Sequence, residues 1–273
     1  MGFLGLGVMG GPMSANLVKA GYGVIGFDID AGRRQEAAGA GVEIAGSSAE
    51  VARAAGEVAV SIVRTWQDTQ AAVFGPDGFA EGSRQGTVLL VMSTLDPSSM
   101  SRLAADLAGR GVTAVDAPVS GGRAGAENAT LSIMASGPPT ILERVRPILE
   151  AMGRNLYIVG ERPGMGQAAK LANQLMLGIN MLAAHEGLAI ARRHGVDEEQ
   201  LMELLSVSTG GSWVTKNWDR VRAFWRHPES YNDLAIITKD LRSALLEGDE
   251  QGLSMPVTAV AFQRLRHVWE GER

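Results

Sequence analysis

Lys170 is one of few charged residues in a long apolar run, and amides stand around it: Gln167, Asn173 and Gln174. On a helix Gln167, Lys170 and Gln174 share a face, with Asn173 alongside. A lysine partly stripped of water titrates closer to neutrality, which suits it to proton transfer, and neighbouring amides can orient a hydroxyl or a carboxylate. The plain alternative is a lysine whose stem lies on apolar surface while its head reaches solvent. A second cluster is Asp116-Ala117-Pro118-Val119-Ser120-Gly121-Gly122. Here the Ser120 hydroxyl stands beside Gly121 and Gly122, whose backbone N–H groups can cradle a carboxylate; an ordinary Ser-Gly-Gly turn is the competing reading. The third cluster is the opening turn, Gly5-Leu6-Gly7-Val8-Met9-Gly10. Gly5 permits the tight turn, Gly7 lets the backbone approach a pyrophosphate, and Gly10 lets the next helix pack closely on its strand. Asp28 follows 18 residues beyond Gly10, close to the spacing of about 20 at which a carboxylate takes a ribose 2′-hydroxyl. That favours NAD, with NADP as the alternative. Asp30 could play the same part, Arg33-Arg34 could clamp a 2′-phosphate, and Asp28 could simply cap the next helix.

These residues need elements to hold them. Continuous short apolar runs over 2–6, 23–28, 58–63, 87–92, 113–117, 132–135 and 157–159 read as strands, and such runs suit parallel strands buried on both faces. Helical stretches lie between them, at 11–20, 31–39 and 98–110. Strand–helix alternation predicts an α/β doubly wound sheet, the Rossmann architecture, over residues 1–162. The pattern changes after Gly164. Residues 167–194 hold no proline and predict one helix of about 28 residues and about 42 Å, with Gly195 as its C-terminal cap. Further helices are expected at 198–206, 238–248 and 257–269. Residues 163–273 therefore read as an all-α domain, joined to the first by the long helix, with the boundary near Arg162-Pro163.

Composition narrows the function classes. In 273 residues, 45% are apolar and 20% charged, which permits packed cores. The net charge of -5, with Lys and Arg spread along the chain, gives no footprint for nucleic acid. The absence of cysteine excludes disulfides, thiol catalysis and Cys-ligated zinc, and fits a cytoplasmic protein. No apolar run approaches the ~20 residues of a membrane span, and the N-terminus does not read as a signal peptide. His185, His194, His227 and His267 lack metal-ligand spacing and read as surface or satisfied core residues, so no metal is expected.

Together the motifs resemble the β-hydroxyacid dehydrogenase family, the group of 3-hydroxyisobutyrate dehydrogenase, tartronate semialdehyde reductase and 6-phosphogluconate dehydrogenase. The resemblance runs from Phe3 through Gly10 to Leu17, over Asp116 to Gly122 with Gly125-Ala126 and Thr130-Leu131, over Gly164 to Gln174, and at Thr238-Lys239-Asp240-Leu241. It implies NAD(P)-dependent hydride transfer to or from a short β-hydroxy acid or semialdehyde, such as 3-hydroxyisobutyrate or the glycerate/tartronate semialdehyde pair. It implies Lys170 as general acid/base, Ser120, Gly121 and Gly122 as the carboxylate cradle, and Lys239 as a cofactor-side lysine. Ser93-Thr94 correspond to a nicotinamide-side pair, and Val63-Arg64 stand where many relatives carry Leu-Pro beside the cofactor. Relatives often place Asn at the position of Gln174, so either Asn173 or Gln174 is the substrate amide. Arg123 either adds an anion contact or faces solvent. The chain begins almost on its first strand, so its start is expected to be slightly truncated. An NADP-dependent semialdehyde or imine reductase is the alternative enzyme, although imine reducers generally lack the lysine. A non-catalytic nucleotide-binding regulator is the alternative outside enzymes, and the joint retention of Ser120, Gly121, Gly122 and Lys170 speaks against it. The apolar face over 175–190 predicts a homodimer or homotetramer.

Overall fold

The computed structural model describes residues 1–226 and 231–270. Its contacts divide the chain into two units, Met1–Lys170 and Leu171–Arg273, whereas the residue pattern shifts at Arg162-Pro163.

The first unit is built on nine strands: β1 (Gly2–Leu4), β2 (Ile25–Phe27), β3 (Glu43–Ile44), β4 (Val58–Ser61), β5 (Val88–Val91), β6 (Thr113–Asp116), β7 (Val119–Ser120), β8 (Leu131–Ser136) and β9 (Gly153–Gly160). Between them lie α1 (Gly10–Lys19), α2 (Ala31–Gly39), α3 (Ser48–Ala54), α4 (Trp66–Phe74), α5 (Phe79–Gly82), α6 (Pro97–Ala108), α7 (Gly122–Glu127) and α8 (Pro139–Glu150). The strands are ordered β3-β2-β1-β4-β5-β6-β8-β7, with β9 on β8. The first six are parallel, and their order reverses between β1 and β4, the switch point where open α/β sheets bind ligands. Alternate side chains feed two cores. Phe3 and Leu90 pack on one face, Leu4 and Leu89 on the other. Apolar residues are therefore needed at successive positions, which makes the strands legible as continuous runs.

Two features differ from the expectation. β8 runs antiparallel to β6 and β7, so the sheet is mixed. An apolar run buried on both faces looks the same in either direction. The two-residue strands β3 and β7 were not foreseen, being too short to show a period. Helix starts follow local chemistry: Asp30 caps α2, Ser47 caps α3, and Thr65 forms a capping box with Asp68 at α4.

The second unit is helical. The long helix α9 (Met165–Arg193) begins in the first unit and continues as the first helix of the second. It is followed by α10 (Glu198–Val207), α11 (Trp213–Lys216), α12 (Trp218–Arg226), α13 (Tyr231–Glu250) and α14 (Pro256–Glu270). Gly195, at φ 75°, ends α9 as expected, with its N–H on the Arg192 carbonyl at 3.1 Å. Met181, Leu188, Trp218, Leu241 and Leu265 lie in this unit's own core. His185 and His194 are exposed, and His227 lies outside the described residues. Among the described residues no helix is long and apolar enough to cross a membrane.

Candidate active site

The opening turn sits at the end of β1, beside the switch point. Gly5 has φ +90°, and a Cβ there would lie 2.3 Å from the Ile62 carbonyl oxygen. At Gly10 a Cβ would come within 1.9 Å of the Gly5 oxygen, so strand and helix touch through bare backbone. Gly7 differs: nothing lies within 4 Å of its Cβ position. No side chain caps the start of α1, which leaves its positive dipole end facing that open side.

Asp28, just past β2, is tied to this turn. Its Oδ2 accepts the Leu6 N–H at 2.7 Å and its Oδ1 the Asp30 N–H at 2.9 Å. Asp30 instead caps α2, accepting the Arg33 N–H at 3.0 Å. Two alternatives are thereby separated: Asp28 does not cap the helix, and Asp30 does. Arg34 donates to the Asp28 carbonyl at 2.6 Å and lies over the Phe27 ring, while Arg33 pairs with Glu36 at 3.0 Å. Val8 is exposed and Met9 partly so.

Across the switch point, Val63 donates its N–H to the Ser93 Oγ at 2.8 Å. This bond joins the segment after β4 to the segment after β5. Thr94 is half-buried and Arg64 exposed.

Ser120, Gly121 and Gly122, expected to cradle a carboxylate, lie at a corner. Ser120 ends β7, opposite Ser132 of β8. Gly121 and Gly122 have φ +135° and +61°, conformations that favour glycine, and no side chain caps α7 behind them. The Asn16 amide of α1 donates to the Ala126 carbonyl at 2.6 Å, bracing α7 against α1. Arg123 is 71% exposed and pairs with Glu127 at 2.7 Å, the solvent-facing outcome of the two considered.

A densely hydrogen-bonded group is one to which the residue pattern alone assigns no role. Asp116, at the end of β6, has no exposed surface. Its Oδ2 accepts from the Gly164 N–H at 3.1 Å, the Gln167 N–H at 3.0 Å and the Ser136 hydroxyl at 3.2 Å. Its Oδ1 accepts from the Gln167 amide at 2.8 Å. Burial pushes this carboxyl up to about 6, against the donors that favour its ionised form. Three residues on from Gln167 stands Lys170, only 6% exposed. Its side chain is buried, contrary to the solvent-reaching alternative.

In the helical unit, Gln174 is buried, donating to the Asp240 Oδ2 at 2.6 Å and accepting from Asn173 at 3.1 Å. Lys239 donates to the Asp240 Oδ1 at 2.6 Å. Asp240 thus gathers Lys239, Gln174 and, through Gln174, Asn173. Sequence reasoning placed Asp240 in a motif without a role. The roles of Asp116, Ser136, Asn16 and Asp240 depend on partners distant in sequence and leave no periodic signal.

Comparison with known proteins agrees with this layout. Residues 1–160 match the NAD binding domain of 6-phosphogluconate dehydrogenase. Residues 164–272 match the NAD-binding domain of NADP-dependent 3-hydroxyisobutyrate dehydrogenase. The chain is 34% identical over 279 residues to a 2-(hydroxymethyl)glutarate dehydrogenase of Eubacterium barkeri, covering 100% of this chain and 89% of that protein. It is 35% identical over 270 residues to a 3-hydroxyisobutyrate dehydrogenase of Pseudomonas aeruginosa, covering 95% and 88%. Among solved structures, a Mycobacterium tuberculosis 3-hydroxyisobutyrate dehydrogenase with L-serine superposes with a TM-score of 0.84 at 30% identity, covering 97% of this chain and 91% of that one. With a glycine-rich turn, a Ser-Gly-Gly corner and a buried lysine all lying within these matches, the chain belongs to the NAD(P)-dependent β-hydroxyacid dehydrogenase family.

Proposed function

We propose that this chain interconverts a short β-hydroxy acid and its semialdehyde, with Lys170 moving the proton. The observation that carries this is a buried lysine three residues beyond Gln167, on a helix fastened to the crevice end of β6. Ligands of open α/β sheets bind at such strand ends.

The residues fit the family's cofactor. The open backbone at Gly7 and the uncapped start of α1 suit a pyrophosphate held by Gly5, Leu6, Gly7, Val8, Met9 and Gly10. Asp28 stands at the end of β2 to take a ribose hydroxyl, and Arg33 and Arg34 are already engaged, which supports NAD over NADP. Val63, Arg64 and Thr94 would flank the nicotinamide, and Lys239 would serve the cofactor. NAD(P) supplies the hydride acceptor or donor. In oxidation, neutral Lys170 accepts the hydroxyl proton as the carbinol C–H bond gives up hydride and the carbonyl forms. In reduction, the Lys170 ammonium returns that proton to the oxygen and stabilises its developing charge. Ser120, Gly121 and Gly122 hold the carboxylate. Asn173 orients the substrate, and Gln174, engaged by Asp240, supports it. Arg123, paired with Glu127, stands at the rim.

Residues 1–162 then form the cofactor domain and 163–273 the substrate and association domain. The substrates in the names of the two relatives, and the L-serine held by the structural neighbour, share a hydroxyl β to a carboxylate. A 2-substituted 3-hydroxypropanoate is therefore the favoured substrate. We assign the protein to the cytoplasm and, through α9, to a homodimer or homotetramer.

Lys170→Met tests the reading. Turnover of 3-hydroxyisobutyrate or L-serine, followed at 340 nm with each cofactor, should fall at least ~10³-fold while NAD binding by fluorescence titration persists. Turnover near the wild-type rate would exclude Lys170 as the proton-transfer group.

A further inference from the structure

The Asp116 carboxylate receives more than a helix start. The Gln167 side chain that donates to Asp116 also donates to the Ser93 carbonyl at 3.0 Å and accepts the Leu95 N–H at 2.9 Å. Its two donor hydrogens and its oxygen are all engaged. Asp116, Ser136 and Gln167 have no exposed surface. Ser136, paired with Asp116 across β6 and β8, also accepts the Gly166 N–H at 3.1 Å. Only glycine lets the helix come this near, because a Cβ at Gly166 would lie 2.4 Å from the Met134 oxygen and 2.9 Å from Asp116 Oδ2.

Three pieces of the proposed site hang on this clasp. Thr94 lies between Ser93 and Leu95, both of which Gln167 holds. Ser93 in turn holds the Val63 N–H. Lys170 rides on the helix whose first turn Asp116 fastens. A misplacement of about 1 Å between reacting groups costs about 10² in rate, so one buried carboxylate and one amide set the relative placement of the proton-transfer lysine and the segment assigned to the nicotinamide.

We propose that Asp116 and Gln167 are positioning residues for hydride transfer, clasping the start of the lysine helix to the Ser93–Leu95 segment. This rests on the Lys170 reading above. A merely structural clasp would alter the amount of folded enzyme but leave the chemistry of each folded molecule unchanged.

The test is steady-state kinetics on the full-length protein for Gln167→Met, Asp116→Asn and Lys170→Met, with melting temperatures recorded alongside. Gln167→Met keeps the side-chain length and removes the three side-chain hydrogen bonds, leaving the backbone N–H on Asp116. It should lower kcat about 10²-fold, change KM for NAD by less than about threefold, and raise the primary deuterium isotope effect of substrate labelled at the carbinol carbon. Asp116→Asn sets an amide N–H against existing donors and should shift kcat and the isotope effect in the same directions. A folded Gln167→Met enzyme with kcat within about twofold of wild type and an unchanged isotope effect overturns the clasp, even where Lys170→Met is inactive. Should neither clasp variant fold, the network is structural and the proposal fails. An active Lys170→Met enzyme removes the underlying reading, and the proposal with it.

Discussion

Asp116 shows how a single buried group couples structure to pH. Its carboxyl titrates near 3.8 when unperturbed, and burial pushes it up to about 6 in the folded protein. The folded state thus binds this proton more tightly than the unfolded chain does. The resulting stabilisation is complete below about 3.8 and is lost as pH rises through about 6; its full size is at most about 3 kcal/mol. Urea unfolding checks this. From pH 7 to pH 5 the wild type should gain about 1 kcal/mol relative to Asp116→Asn, and a pH-independent difference would refute it. The residues of the proposed site were unevenly legible in the sequence. Lys170 and Ser120-Gly121-Gly122 announced themselves because a lysine in an apolar run and a paired glycine are locally unusual. Asp116 and Gln167 are 51 positions apart, and their meaning arises only when β6 and α9 meet. Arg123 follows Ser120-Gly121-Gly122 in sequence yet turns to Glu127; an i,i+4 pairing on a short helix was the local signal for that.

At the scale of elements, the turn proposed for the cofactor depends on a strand and a helix that approach without side chains between them. Gly10→Ala would place a methyl group 1.9 Å from the Gly5 oxygen, and backbone there can relieve the clash only by moving α1. Overpacking of this kind costs about 1–3 kcal/mol, and the displaced helix start should weaken NAD affinity by at least tenfold. Isothermal titration and thermal unfolding measure both; wild-type affinity would show that the close approach is dispensable. The strands and α9 were readable because burial on both sheet faces demands continuous apolar runs, and because residues 167–194 contain no proline to interrupt the helix. The reversed direction of β8 was not readable, since polarity of a strand leaves no trace in which residues it buries. β3 and β7 pair over only two residues each, shorter than any period a sequence can display.

At the scale of the molecule, the helical unit carries apolar side chains that its own core does not use. Met176 and Ile190 of α9 are 61% and 67% exposed, and a second copy of the chain is the partner proposed for them. Light scattering of the purified protein should return twice or four times the monomer mass of 28.8 kDa, and a monomer at micromolar concentration would remove the homo-oligomer from the proposal. One feature of the first unit constrains how such an enzyme can diversify. The Gln167 side chain gives two hydrogens and takes one, a set that among the twenty amino acids only asparagine repeats, with one methylene less reach. Glutamate would bring a second carboxylate against Asp116, and methionine would leave all three partners empty. No single substitution preserves the function of that position. Arg123 and Glu127, by contrast, pair at the surface and touch none of the three groups that Gln167 holds.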